Sequence, residues 1–189
     1  MPSHLTAKRR WCRRHGITFF MRLDSKSARY LAEYAAFRLA AAIFGLLPVE
    51  AASALGGSIF RVIGRYSHKR NARAHANLAM AFPDWSKEQV EAAAGDMWEN
   101  LGRVFAESFH LGELARSDRF TCVSPETFAS LGSDGKGQII CAAHYGNWEI
   151  AALALGVVRP DIKVAGIYRH LNNPRVDAYV TQLRKRFYP

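Results

Sequence analysis

The chain has 189 residues, 49% of them hydrophobic, enough for one ordinary core, and a formal net charge of +10. Its three cysteines (Cys12, Cys122 and Cys141) are scattered with no CxxC pair, which argues against a disulfide framework or a zinc site and for a reducing compartment. The charge is lopsided: residues 1–80 hold 14 Lys and Arg against Asp24, Glu33 and Glu50, a local net of +11, so an anionic partner, nucleic acid or anionic lipid, belongs to the front of the chain.

Residues 1–29, with Lys8, Arg9, Arg10, Arg13, Arg14, Arg22, Lys26 and Arg29, are expected to form a basic, mobile arm. No small-residue cleavage pattern follows the later apolar run, so a secretory signal is not expected. Residues 30–47 (YLAEYAAFRLAAAIFGLL) then have the composition of an apolar helix ending at Pro48. Glu33 and Arg38 interrupt it, and the uncharged stretch Leu39 to Leu47 is nine residues against the roughly 20 that a spanning helix needs.

A second helix is expected over 49–64, followed by Arg65, Lys69, Arg70 and Arg73. Basic residues at both ends of an apolar pair suit a segment lying in the cytoplasmic leaflet of a membrane, and no nucleic-acid motif accompanies the charge. A buried soluble hairpin with a solvated basic face is the other way to use the same pattern. Residues 30–83 are therefore expected to be membrane-associated helices.

Phe82-Pro83-Asp84 predicts a turn, and Ser86 with Gln89 predicts a capping box opening a helix. Val90, Ala94, Met97, Leu101, Val104 and Phe105 recur at helical spacing through about His110, with Trp98 expected to pack in the core. Beyond residue 119 the pattern changes. Short apolar runs at 120–123, 138–143 (QIICAA) and 163–168 (KVAGIY) predict strands, alternating with helices over 147–158 and from Pro174 onward. Strand, helix, strand, helix with short links predicts an α/β fold, a mainly parallel sheet covered by helices.

His144 follows the second of those runs, where α/β folds place their sites, and Glu149 lies five residues on in the next helix. A sharp turn through Tyr145-Gly146-Asn147 would bring the carboxylate to the imidazole, making a general base for a hydroxyl proton. The helix start would offer backbone N–H groups to an oxyanion. On spacing alone, a His and a Glu so placed are more often structural. Cys141 is a competing nucleophile beside His144, but it sits inside an apolar run and is expected in the core. His4, His15, His68, His75 and His110 assemble no metal-site spacing.

The segment AAHYGNWEI resembles the signature block of the lipid A late acyltransferases. Residues 168–186 (YRHLNNPRVDAYVTQLRKR) resemble that family's second block, and weaker likenesses run through RNARAHANLAMAFP (70–83) and ENLGRVFAESF (99–109). The resemblance implies an enzyme at the cytoplasmic face of a Gram-negative inner membrane. Such an enzyme moves an acyl chain from acyl carrier protein to a hydroxyl of a lipid A precursor, with no cofactor beyond that thioester.

It implies His144 as general base, Glu149 as its partner, and Asn147, Arg169, Asn173, Arg184 and Arg186 as substrate-binding residues. Membrane lipid, acyl carrier protein and a glycolipid acceptor are the implied partners, and nucleic acid is not among them. Another glycolipid or phospholipid acceptor, or a membrane-binding fragment without activity, remains open. The family's later blocks have no counterpart before Pro189, so 84–189 is expected to be the front part of a catalytic domain with an incomplete sheet.

Overall fold

The computed structural model describes residues 24–114, 117, 119, 121, 123–150, 159 and 161–185. Helix α1 (Ser25–Leu46) opens on Asp24, whose carboxylate accepts from the Ser27 amide at 2.6 Å. It stops at Leu47, whose extended conformation (φ −82, ψ 152) is what the following Pro48 demands. Helix α2 (Val49–Tyr66) starts directly after that proline. The basic arm expected to reach residue 29 thus ends by residue 25 at the latest, where α1 begins, and its residues 1–23 lie outside the described residues.

A one-residue break at Ser67 separates α2 from α3 (His68–Ala81). Helix α4 (Lys87–Glu107) carries the expected capping box: the Gln89 amide donates to Ser86 Oγ at 3.3 Å, and the Ser86 amide to Gln89 Oε1 at 2.8 Å. A 3-10 turn (Ser108–His110) and the short α5 (Leu111–Leu114) continue it; α6 (Pro125–Ala129) and α7 (Pro174–Arg184) follow.

The core lies where α2 crosses α4. Gly56 and Gly102 face each other there so closely that a Cβ on Gly56 would stand 2.5 Å from the Gly102 carbonyl oxygen and 2.7 Å from Ala106 Cβ. Removing two Cβ atoms is what lets the helices touch along backbone. Phe44 and Ala52 close onto Ala106 beside this crossing; Phe105 meets Phe37, Phe44 and Phe109 edge-on, and Phe109 stacks parallel to Phe44. Trp98 is buried as expected, under Gly64, with its indole N–H donating to Asn71 Oδ1 at 2.8 Å. Buried His110 donates from Nε2 to the Phe44 carbonyl at 2.8 Å, tying the end of α4 to the end of α1.

Polar clasps reinforce the crossing. Arg61 of α2 reaches Asp96 and Glu99 of α4, both at 2.8 Å, and Arg103 shares Glu99 at 2.6 Å. Helix α7 docks on α1 through Tyr179 against Phe37 (5.3 Å between centroids) and through Asn173. Among the described residues no helix is long and apolar enough to cross a membrane.

The expected α/β architecture is corrected here: among the described residues there are helices and no strand. Residues 138–143 and 163–168 form no ladder; Ile139 is 92% exposed and Ile167 fully so. A strand is made by the hydrogen bonds of a neighbour as much as by its own β-branched residues, and no neighbour is aligned with either segment. Cys141, expected in the core, is exposed for the same reason. Residues 120 and 122 of the expected 120–123 strand fall outside the described residues, as do 151–158 of the expected 147–158 helix; its start, 148–150, is helical.

Candidate functional site

The loop 144–147 is carried by one face of α4. Asn100, Arg103 and Glu107 recur there at three- and four-residue steps, so their side chains line one stripe. Asn100 Nδ2 donates to the Gly146 carbonyl at 3.3 Å. Seven residues on, Glu107 Oε2 accepts from Asn147 Nδ2 at 2.6 Å, and its other oxygen accepts from Ser53 Oγ of α2, also at 2.6 Å. Arg103 reaches the same Ser53 oxygen at 3.4 Å. Gly146 has φ +56, the left-handed conformation that the turn from 143 into the helix requires.

Asn147 uses both ends of its amide within the protein. Nδ2 goes to Glu107, and Oδ1 accepts from the Ile150 amide at 3.3 Å, capping the helix start. His144 is exposed, its ring 4.9 Å from that of Trp148. Beside the loop lies an open cavity of about 520 Å³, lined by Val49, Ser53, Glu107, Leu114, Asn147 and Ile150 with Glu50, Arg103 and Arg119 at its polar side. The Glu50 backbone amide, and after it the Arg119 side chain paired with Glu50 at 2.6 Å, hold the Glu50 carboxyl below its ordinary range.

The structure does not join His144 to Glu149 by a hydrogen bond. Glu149 instead takes the guanidinium of Arg184 on both carboxylate oxygens, with Nε to Oε2 at 3.2 Å and Nη2 to Oε1. A two-point, charge-assisted pair outcompetes a single bond to an imidazole, and α7 delivers the arginine to it. Arg184 also stands over the Tyr168 ring, 5.1 Å from its centroid.

The rest of the second block is organised around Asp177. Its carboxylate accepts from the Leu171 amide and Tyr168 hydroxyl, both at 2.7 Å, and from His170 Nδ1 at 2.9 Å. The Leu171 amide, then His170 and Tyr168, lower its carboxyl to about 2, while burial and the same bond raise the Tyr168 hydroxyl. Asn173, also expected to bind substrate, is buried and caps α7, accepting from the Arg175 amide at 3.1 Å and donating to the Tyr30 carbonyl at 2.8 Å and Glu33 at 3.0 Å.

Arg169 is exposed at the end of the 163–168 segment, and Arg186 lies outside the described residues. Among the described residues no three His, Cys, Asp or Glu side chains gather as a metal would need.

Reading residues along the chain missed Glu107, Ser53, Arg103 and Asp177. Glu107 and Arg103 lay within ENLGRVFAESF, and their helical spacing with Asn100 was the available signal.

The site is thus a loop bearing an exposed histidine, braced from behind by a polar helix face and tied through Glu149 to Arg184 of the second block. The family model for bacterial lipid A biosynthesis acyltransferases matches residues 22–188, and the chain belongs to that family. It is 27% identical over 151 residues to a lipid A biosynthesis acyltransferase of Haemophilus influenzae; the match covers 77% of this chain and 46% of that protein, so the chain spans about half of its relative's length. No solved structure matches the chain.

Proposed function

We propose that the protein moves a fatty acyl chain from the thioester of acyl carrier protein to a hydroxyl of a Kdo-bearing lipid A precursor, with His144 as general base. The observation that supports this most is the loop itself: His144 faces solvent while Gly146 and Asn147 just behind it are bonded to α4. A base held so can meet a large substrate without rearranging the core.

The acceptor hydroxyl gives its proton to a ring nitrogen of His144 as its oxygen attacks the thioester carbonyl. The new C–O bond forms a tetrahedral oxyanion, which collapses by breaking the C–S bond. The departing thiolate takes the proton back from the imidazolium, so acid and base are one residue.

Glu149 enters this reading by pinning the first helical turn behind His144 to Arg184, and exposed Arg169 is the residue assigned to an anionic group of the substrate. We place the reaction at the cytoplasmic face of the inner membrane. Exposed Val62 and Tyr66 beside exposed Arg65, Lys69 and Arg70 support contact with an anionic lipid surface.

The test is transfer of a radiolabelled acyl chain from acyl carrier protein to the lipid A precursor by the protein at its natural length. The parent is expected to give labelled lipid, and His144→Ala to lose about 10²- to 10⁴-fold in rate. No transfer by the parent, or equal transfer by His144→Ala, would overturn the proposal.

A further inference from the structure

We infer that Glu107 is a positioning residue for the transfer reaction, acting through Asn147 on the loop that presents His144; this rests on His144 as the base. Three observations carry it. Glu107 is half-buried on the core side of α4, next to Ala106, where an ionised carboxylate needs partners. Both its oxygens are used at 2.6 Å, one by Ser53 from α2 and one by Asn147 from the loop, so it joins three parts of the chain at one point. Asn147 is also the cap of the helix that follows, so the bond fixes where that helix starts and thereby the four residues from His144 to Asn147.

Asn100 holds the preceding carbonyl, that of Gly146, from the same face of α4. Two anchors one residue apart on the loop and seven apart on the helix resist both sliding and rotation of the loop. Glu107 touches no reacting atom in this scheme. It sets the distance from His144 to an acceptor bound in or beside the cavity that Glu107 and Asn147 both line.

The bond has a direction, which makes it testable by exchange of its partners. The carboxylate of Glu107 accepts and the amide of Asn147 donates. Glu107→Gln keeps the acceptor for Ser53 but turns an N–H toward the N–H of Asn147. Asn147→Asp keeps the cap for Ile150 but sets a carboxylate against a carboxylate. Glu107→Gln combined with Asn147→Asp restores a donor facing an acceptor, with Ser53 and Ile150 still served.

The experiment measures kcat and KM for acyl transfer in the parent, both single variants and the double variant, alongside hydrogen–deuterium exchange of the peptide spanning 144–150. Each single variant is expected to lose roughly 10- to 100-fold in kcat with KM little changed, as a misplaced base does. Each is also expected to exchange faster in that peptide, and the double variant to recover on both readouts. Unchanged exchange in the single variants, or a double variant no better than the worse single one, would overturn the inference. Exchange is read whether or not acyl transfer occurs. A parent without transfer therefore sinks the proposed function, while the exchange pattern still decides whether Glu107 holds the loop.

Discussion

Glu149 and Arg184, 35 residues apart, meet in a two-point pair in which the Glu149 side chain is 12% exposed and that of Arg184 30%. The pair joins the helix start behind His144 to the last turn of α7, so it couples the two blocks that carry the family resemblance. A partly buried charged pair is worth more than a surface one, and losing one partner leaves the other without its counter-charge.

Arg184→Ala and Glu149→Gln are each expected to lower unfolding free energy by about 1–2 kcal/mol, within the range of hydrogen bonds to charged groups. The combined variant should lose less than the sum, since the second change removes a group already stranded. Urea melts on the four proteins check this; strict additivity would show that the two side chains do not depend on each other.

Glycine packing gives a second outcome. A Cβ on Gly64 would stand 2.5 Å from Cδ1 of Trp98, whose indole is buried and held by Asn71. Gly64→Ala gains helix propensity of about 1 kcal/mol but overpacks a fixed ring, for a net loss of about 1–2 kcal/mol. Gly45→Ala meets nothing within 4 Å and is expected to stabilise by up to about 1 kcal/mol. Thermal melts on the two variants should therefore move in opposite directions.

Asp177 gives the pH dependence. Its folded carboxyl is near 2 against an ordinary value of 3.8, so its contribution is complete above about pH 4 and disappears as pH falls through 2. Asp177→Asn has no such window. The Tm difference between parent and Asp177→Asn should persist at pH 5, where His170 can only strengthen the pair, and shrink below pH 4. A difference that grows as pH falls from 4 to 2 would reverse the sign and refute the role of the carboxylate.

The parts of this molecule that were legible in the sequence are those decided by near neighbours. Ser86 and Gln89 satisfy each other's amides three residues apart, and Asn173 with Pro174 starts α7 as their types require. The break at Ser67 that creates α3 interrupts one helical pattern by a single residue, with no proline or glycine at the joint to mark it.

Strand expectations for 138–143 and 163–168 rested on apolar composition, which says that a residue would suit a sheet and not that a partner is there. In the site, His144 and Gly146 could be placed by the turn they make. The partner of Glu149 could not: the nearest histidine in sequence lost to an arginine brought by α7. Glu107 was hidden for the same reason, its two partners lying 54 and 40 residues away.

The last outcome concerns the lipid surface. Val62 is 52% and Tyr66 76% exposed at the C-terminal end of α2. The exposed Arg65, Lys69 and Arg70 lie among and just after them, so apolar and basic groups meet at that end of the helix. Apolar side chains that pack on nothing inside the protein can enter the headgroup boundary, and each nearby cation adds about 1 kcal/mol on an anionic leaflet.

Replacing Arg65, Lys69 and Arg70 with Gln is therefore expected to lower partitioning onto anionic vesicles by about 100-fold at low salt, and little onto neutral ones. Tyr66→Glu should lower it on both kinds of vesicle, because it removes an inserting group. Neither change touches the core, so far-UV circular dichroism and Tm should stay near the parent values. Flotation of the triple variant equal to the parent on anionic vesicles would show that the charge of this segment serves some other partner.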